Sequence, residues 1–302
     1  MKTEDRPIAG IALMLGFCVL APMGDAAAKL LGGMPLAQVI FVRFAVQAII
    51  LFPIVLATGR TWRIPRHVMG LVVLRTLLHM FGIGLMFTAL KYLPLADAVA
   101  IAFVCPFILL LLGWLFMDEK IGIHRLGACI VGFGGAMLVI QPSFVDVGWP
   151  AVLPLGVAVI FSLFIIATRS VAKASDPLGL QAVSGVIACV AMVPVFYFGH
   201  WLDEPALSWR MPIGTEWGLL LAIGLLGTFA HLLMTWSLRF APSATLAPMQ
   251  YIEIPVATGI GWLVFNQFPN ALAAVGIAVT MAAGLYAVWR EHYILRNPVP
   301  QA

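Results

Sequence analysis

The sequence predicts an all-α polytopic membrane protein built from ten transmembrane helices, arranged as two inverted-topology five-helix repeats. Three observations carry that prediction. Of the 302 residues, 62% are hydrophobic and only 10% charged, where a soluble domain holds roughly 45–50% apolar and about 25% charged residues. Ten apolar segments each reach the ~20 residues that a bilayer-spanning helix needs. Finally, the stretch 91–135 recurs at 239–284. Leu93-Pro94-Leu95-Ala96 lies over Ala241-Pro242-Ser243-Ala244, and Gly113-Trp114 over Gly261-Trp262, at an offset of 148. Pro106 over Pro255, Gly127 over Gly276 and Gly135 over Gly284 need 149, and Asp118-Glu119 falls on Asn266-Gln267. A period this long indicates duplicated halves. We place them at 1–142 and 148–290, with a tail over 291–302.

In chain order the spans are 8–28, 36–57, 67–90, 95–116, 123–140, 150–171, 178–199, 216–238, 244–265 and 270–289. The first has Lys2 and Arg6 in front and Ala26-Ala27-Ala28 behind, as a signal peptide would. Removing it would leave nine helices and destroy the five-plus-five match, so the span is expected to stay. The connections are short, and the longest, from Gly199 to Thr215, is too short for a domain. Twelve of the 17 Lys and Arg fall on the side of the N-terminus, against Lys29, Lys91 and Arg210 on the other, with Arg43 and Arg75 inside spans. That bias puts both termini in the cytoplasm. Trp201, Trp209 and Trp217 in the long outer loop are then expected at the membrane interface. An odd number of helices per repeat makes the second half enter the membrane opposite to the first. Many secondary transporters are built this way, with the substrate near the midplane between the halves.

Composition also excludes. The net charge of +4 has no basic run or soluble domain behind it, so no nucleic-acid partner is expected; the partners are lipid and a small molecule. Cys18, Cys105, Cys129 and Cys189 lie in apolar stretches and read as small buried hydrophobes, without a CxxC metal pair. No nucleotide-binding loop, HExxH motif or Ser/His/Asp arrangement is evident. We therefore expect no enzyme activity, no cofactor and no metal.

Ionisable groups inside spans cost on the order of 2.5–3.5 kcal/mol on insertion scales, so each needs a partner or a watery cavity. Arg75, His79, Gly82 and Met86 share one face of the third helix; Gly224, Thr228, His231 and Thr235 form a small, polar stripe on the eighth. Both are expected to face protein or cavity. The ninth helix carries Pro248, Gln250, Tyr251, Glu253 and Pro255 within eight residues, with Gln250 and Glu253 on one face. Its prolines release backbone carbonyls, as in the broken helices of transporters. Opposite Gln250 and Glu253 we align Ile101 and Val104, so binding is expected to be asymmetric. Asp25 and Lys29, four residues apart, are expected to form an ion pair near the outer end, either static or gating. Arg43 is expected to pair structurally with a carboxylate or with carbonyls, and Asp97 to favour its helix N-terminus. Gly276, Thr280 and Gly284 on the tenth helix, and Ala128, Gly132 and Ala136 on the fifth, are small-residue faces suited to close packing or a dimer surface.

These residues resemble a known group. Residues 225–267, followed by Gly276 and Gly284, are similar to the repeat of the drug/metabolite transporter superfamily, EamA type. The first half agrees through Lys29, Arg43, Pro94, Pro106, Asp118-Glu119 and Gly127. The chain most resembles the YddG-like aromatic amino acid exporters within it. The resemblance implies a ten-helix basket with a central cavity, helices five and ten at its back, and efflux of small metabolites from the bacterial cytoplasm across the inner membrane. Gln267 replaces an acidic residue of the pattern, which confines any carboxylate role there to Glu119.

An amino-acid substrate needs an acceptor for its ammonium, here Glu253 or Asp25, and donors for its carboxylate, here His79 and Gln250, with His231 beside them. Met86, Trp236, Met249 and Tyr251 offer soft apolar contact. Asp25, Lys29, Pro106 and Pro255 are the gating or coupling candidates. The rivals are an exporter of drugs, nucleosides or other amphiphilic metabolites, and a redox protein with His79 and His231 as haem ligands. The expected assembly is a monomer or homodimer.

Overall fold

A computed structural model describes residues 7–105, 107–108, 111–112, 123–172, 175–240, 246 and 249–296. Among these it holds ten α-helices and no strand. They are α1 (Pro7–Leu30), α2 (Leu36–Ala57), α3 (Arg66–Leu90), α4 (Leu95–Ala102), α5 (Ile123–Val147), α6 (Leu153–Ala172), α7 (Pro177–Trp201), α8 (Glu216–Phe240), α9 (Glu253–Phe265) and α10 (Ala271–Arg296). Seven of them, α1 to α3 and α5 to α8, are long and apolar enough to cross a membrane. Local chemistry sets the ends. Proline precedes α2, α3 and α4 at positions 35, 65 and 94, where its fixed φ suits the entry. Asp176 caps α7 by accepting the N–H groups of Leu178 at 3.0 Å and Gly179 at 3.3 Å. Asn266 ends α9 in the left-handed region at φ 53°.

The packing has the symmetry of a duplication. α1 lies along α8, and its counterpart α6 lies along α3; α2 packs on α7, α4 on α9 and α5 on α10. Exchanging the halves maps the first two pairs onto each other and the last three onto themselves. At the α5–α10 crossing, a methyl on Gly135 would sit 2.9 Å from the Gly276 carbonyl, and one on Gly276 would sit 2.6 Å from the Gly135 carbonyl. The small-residue faces thus meet each other inside the bundle, and Thr280 donates to the Gly132 carbonyl at 3.4 Å. Gly135→Leu is expected to lower stability in detergent by about 1–3 kcal/mol, the range of overpacking penalties. Gly134→Ala, where nothing lies within 4 Å, supplies the unchanged control in the same thermal melt.

Two helices are interrupted near mid-span. α4 gives way to a turn at Phe103 and Val104 before helix resumes at Cys105; a turn at Tyr251 and Ile252 precedes α9. Phe103 and Tyr251 are 148 positions apart, so over this stretch the halves align at 148. That corrects the alignment expected from Pro106 over Pro255: Gln250 and Glu253 stand opposite Ala102 and Cys105, not Ile101 and Val104. The register is decided by where the backbone breaks. Across the pseudo-twofold the two turn residues meet, their rings 5.3 Å apart. Pro106, the Asp118-Glu119 pair and Pro248 lie outside the described residues.

Candidate functional site

Between α1, α2, α3, α4, α6, α8 and α9 lies a cavity of ≈ 140 Å³, roughly ten times what one water needs. Its walls are largely aromatic, with Phe17, Phe103, Phe161 and Phe164, and its polar groups arrive one or two per helix. Asp25 comes from α1, Arg43 from α2, His79 from α3, His231 from α8, and Gln250 and Glu253 from either side of the break before α9. The break matters here. Glu253 opens α9, where the helix dipole favours a carboxylate. Cys18 Sγ donates to the Met249 carbonyl at 3.4 Å on one side of the turn. At the matching break, Ser162 Oγ lies 3.1 Å from the Cys105 carbonyl. Helices α1 and α6, related by the repeat, thus each offer a polar group to a backbone released from its ladder.

At the basic pole, His79 and His231 share a hydrogen bond, Nε2 to Nε2 at 3.1 Å. A proton must lie between those atoms, so one ring donates and the other accepts, and the pair holds at most one positive charge. His79 stacks on Phe164 at 4.6 Å and meets Phe44 edge-on at 5.3 Å. Two histidines holding one haem stand on opposite sides of the iron, with bonds of about 2 Å each, so their Nε2 atoms would lie about 4 Å apart; at 3.1 Å, with a hydrogen bond between them, the pair does not fit that role, and the haem reading is set aside. One turn away, Arg75 is completely buried. It donates to Thr168 Oγ1 at 2.9 Å and Ser184 Oγ at 3.0 Å, and its guanidinium lies 4.8 Å over Phe164. Below, Gln181 bridges the His231 carbonyl and Thr235, and Gln47 donates to the Gln181 carbonyl at 2.7 Å. Hydroxyls at Thr168, Thr228 and Thr235 also bond the carbonyl four residues back, which is how they sit in apolar helices.

The structure brings six expected site residues together: Asp25, His79, Met86, His231, Gln250 and Glu253 all line the cavity. Tyr251 is buried behind Phe103. Trp236 packs with Leu51 and Val55 in a separate apolar cluster. Pro255 is exposed on the outside of the bundle. Lys29 departs from its expected partner. Its ammonium donates to the carbonyls of Leu90, at 2.9 Å, and Leu93, and stands over Phe265 at 5.5 Å. An i,i+4 pair contributes only about 0.3–0.5 kcal/mol, less than carbonyl partners in an apolar setting. Lys29 thereby ties α1 to the α3–α4 turn, beside the largest apolar cluster, built around Leu31, Leu90, Leu93 and Leu95. Asp97 accepts from Ser143 at 3.3 Å rather than from its own helix N-terminus. Arg43, for which the sequence suggests a structural pairing with a carboxylate or with carbonyls, lines the cavity. The signal for it was in the sequence, since an arginine in mid-span demands an explanation.

His79→Ala is expected to lower transport about tenfold and leave folding intact, because it strips a hydrogen bond from His231 and a ring from Phe164. Flux and size-exclusion profiles of the variant check this.

Residues 8–141 and 148–289 each match the EamA-like transporter family. The chain belongs to that family. Its relatives include a riboflavin transporter of Vibrio cholerae, 24% identical over 92% of both chains. An S-adenosylmethionine uptake transporter of Rickettsia bellii is 25% identical over 93% of this chain and 94% of that one. The pseudopaline exporter CntI of Pseudomonas aeruginosa is 25% identical over 83% and 85%. A solved crystal structure superposes with TM-score 0.63 at 19% identity, covering 95% of this chain and 98% of that one; it shows the fold alone. The protein is thus a multi-pass membrane transporter of the EamA-like family, and these relatives are named for substrates other than amino acids.

Proposed function

We propose that this EamA-like protein is a secondary transporter that exports amino acids or amino-acid-like zwitterions, apolar or aromatic in their side chain, by alternating access. One observation carries the reading: a single cavity between the repeats is lined by carboxyls on α1 and α9, by basic groups on α2, α3 and α8, and by aromatic walls between them. Asp25 and Glu253 take the ammonium, His79 and Gln250 meet the carboxylate, and Met86 with the phenylalanines takes the side chain. The working membrane is the bacterial inner membrane, with both termini cytoplasmic. The Arg60–Asp176 ion pair at 2.9 Å joins the α2–α3 and α6–α7 loops, which both lie on the cytoplasmic side in this orientation. On the same assignment Lys29 belongs to the outer closure.

The names of the relatives favour a second reading, export or uptake of a larger metabolite such as riboflavin or S-adenosylmethionine. Counterflow in proteoliposomes separates the two. Exchange of labelled leucine, phenylalanine or tryptophan supports the amino-acid reading. Exchange of riboflavin or S-adenosylmethionine with no amino-acid flux overturns it.

A further inference from the structure

We propose that Arg43 is the anion receptor of the cavity: with the His79–His231 pair it binds a carboxylate of the substrate, and so makes a negative group a condition of recognition. This rests on the transport reading above and adds to it a residue and a selectivity rule.

Arg43 sits in the middle of α2 with 4% of its surface exposed. Its guanidinium lies over Phe44 at 5.1 Å, and its Nη1 is buried without a hydrogen-bond partner. Asp25 is close enough to act on it electrostatically, yet the two form no ion pair. A buried guanidinium without a contacting anion is a costly arrangement, by several kcal/mol per ion. The fold nevertheless makes a place for it. On α8, a methyl added to Gly227 would lie 2.6 Å from Arg43 Nε, so the missing side chain is the notch in which the guanidinium rests. One turn earlier, Gly224 makes the same accommodation for Val46, and the two glycines hold α2 close to α8.

The neighbouring groups are unsatisfied in the same sense. The Nδ1 atoms of His79 and His231 are both buried without partners, as is Nη2 of Arg75 behind them. Buried polar nitrogens are nearly always paired; three of these belong to residues that line one cavity, Arg43, His79 and His231. A carboxylate is the complement, since it accepts two bonds in the fork geometry of a guanidinium. Asp25 and Glu253, within electrostatic range of each other, line the same cavity, where an ammonium neutralises them. A zwitterion completes both sets of groups. A purely cationic drug satisfies one and leaves Arg43 bare.

The test is direct binding to the purified full-length chain, by calorimetry, with phenylalanine, its carboxamide, phenethylamine and phenylpropionate as probes. Wild type is expected to bind phenylalanine about 30-fold more tightly than the amide or the amine, the scale of one desolvated charge pair. Arg43→Gln is expected to erase that ratio. Gly227→Ala keeps the arginine but displaces its guanidinium, and should erase it as well, which covers the case in which Arg43→Gln does not fold. Arg43→Lys should restore part of it, because the charge returns without the fork. Equal binding of phenethylamine and phenylalanine by wild type overturns the inference, as does an unchanged ratio in Gly227→Ala. Arg43-dependent binding of phenylpropionate with none of phenylalanine upholds the anion site and removes the amino-acid reading. Phenylalanine flux indifferent to Arg43 does the reverse.

Discussion

Glu253→Gln is expected to lower counterflow on the order of 100-fold while leaving the melting temperature unchanged or higher. The substitution keeps side-chain volume and one acceptor oxygen, so packing gives it no reason to unfold. What it removes is the carboxyl that can carry a negative charge to meet an ammonium at the start of α9, in the cavity that Asp25 also lines. In a water-poor site, losing one partner of a charge pair costs about 2–5 kcal/mol, and 1.4 kcal/mol is a factor of ten. The asymmetry of the repeats sharpens the expectation: Cys105 holds the matching place in the first half and supplies no substitute charge. Asp25 is the remaining candidate for the ammonium. Asp25→Asn combined with Glu253→Gln should therefore be strongly non-additive, as expected of residues sharing one ligand. Full flux in Glu253→Gln would remove this residue from the site.

Gly284→Ala is expected to cost about 3 kcal/mol, the upper end of the usual overpacking range. Its added methyl would fall within the ring of Tyr251, which is 2% exposed. Tyr251 is the turn residue of the break before α9 and meets Phe103, the turn residue of the other break. Pushing it off α10 therefore disturbs both interruptions and the cavity wall they form. The variant should melt several degrees lower and transport poorly, and adding it to Tyr251→Ala, where the ring is already gone, should cost little more, a strong non-additivity. An unaffected melt for the single variant would mean that the glycine is not needed for this seat.

Much of this was legible in the chain. Hydropathy named the helices because the bilayer imposes one length on them all, and the recurrence of Pro, Gly and Trp named the halves. The small-residue faces of α5 and α10 were legible as packing faces, since close approach of backbones demands missing side chains. Four of the six cavity residues, Asp25, His79, His231 and Glu253, were legible because a titratable group in a span is either enclosed or expensive; Met86 and Gln250 were legible from the helix faces they share with His79 and Glu253. Trp236 was not: it is aromatic and on the same helix as His231, but helix rotation turns it toward Leu51 and Val55. The Asp25–Lys29 spacing misled for a related reason. Four-residue proximity is only local, and the ammonium found two carbonyls from a turn more than sixty positions away.

The amino-acid sequence by itself thus determined a membrane-embedded, duplicated, ten-helix chain with charges in its interior, because hydrophobic length, repeat period and the cost of burying charge are properties read along the chain. The tertiary structure alone decided which of those charges face one another. Arg43 rests in a notch at Gly227, and His79 bonds His231 across 152 positions. The breaks at Phe103 and Tyr251 align the halves at 148 where Pro106 over Pro255 indicated 149. Each is a contact between helices distant in sequence, set by rotation and close approach, and no spacing along one helix encodes it.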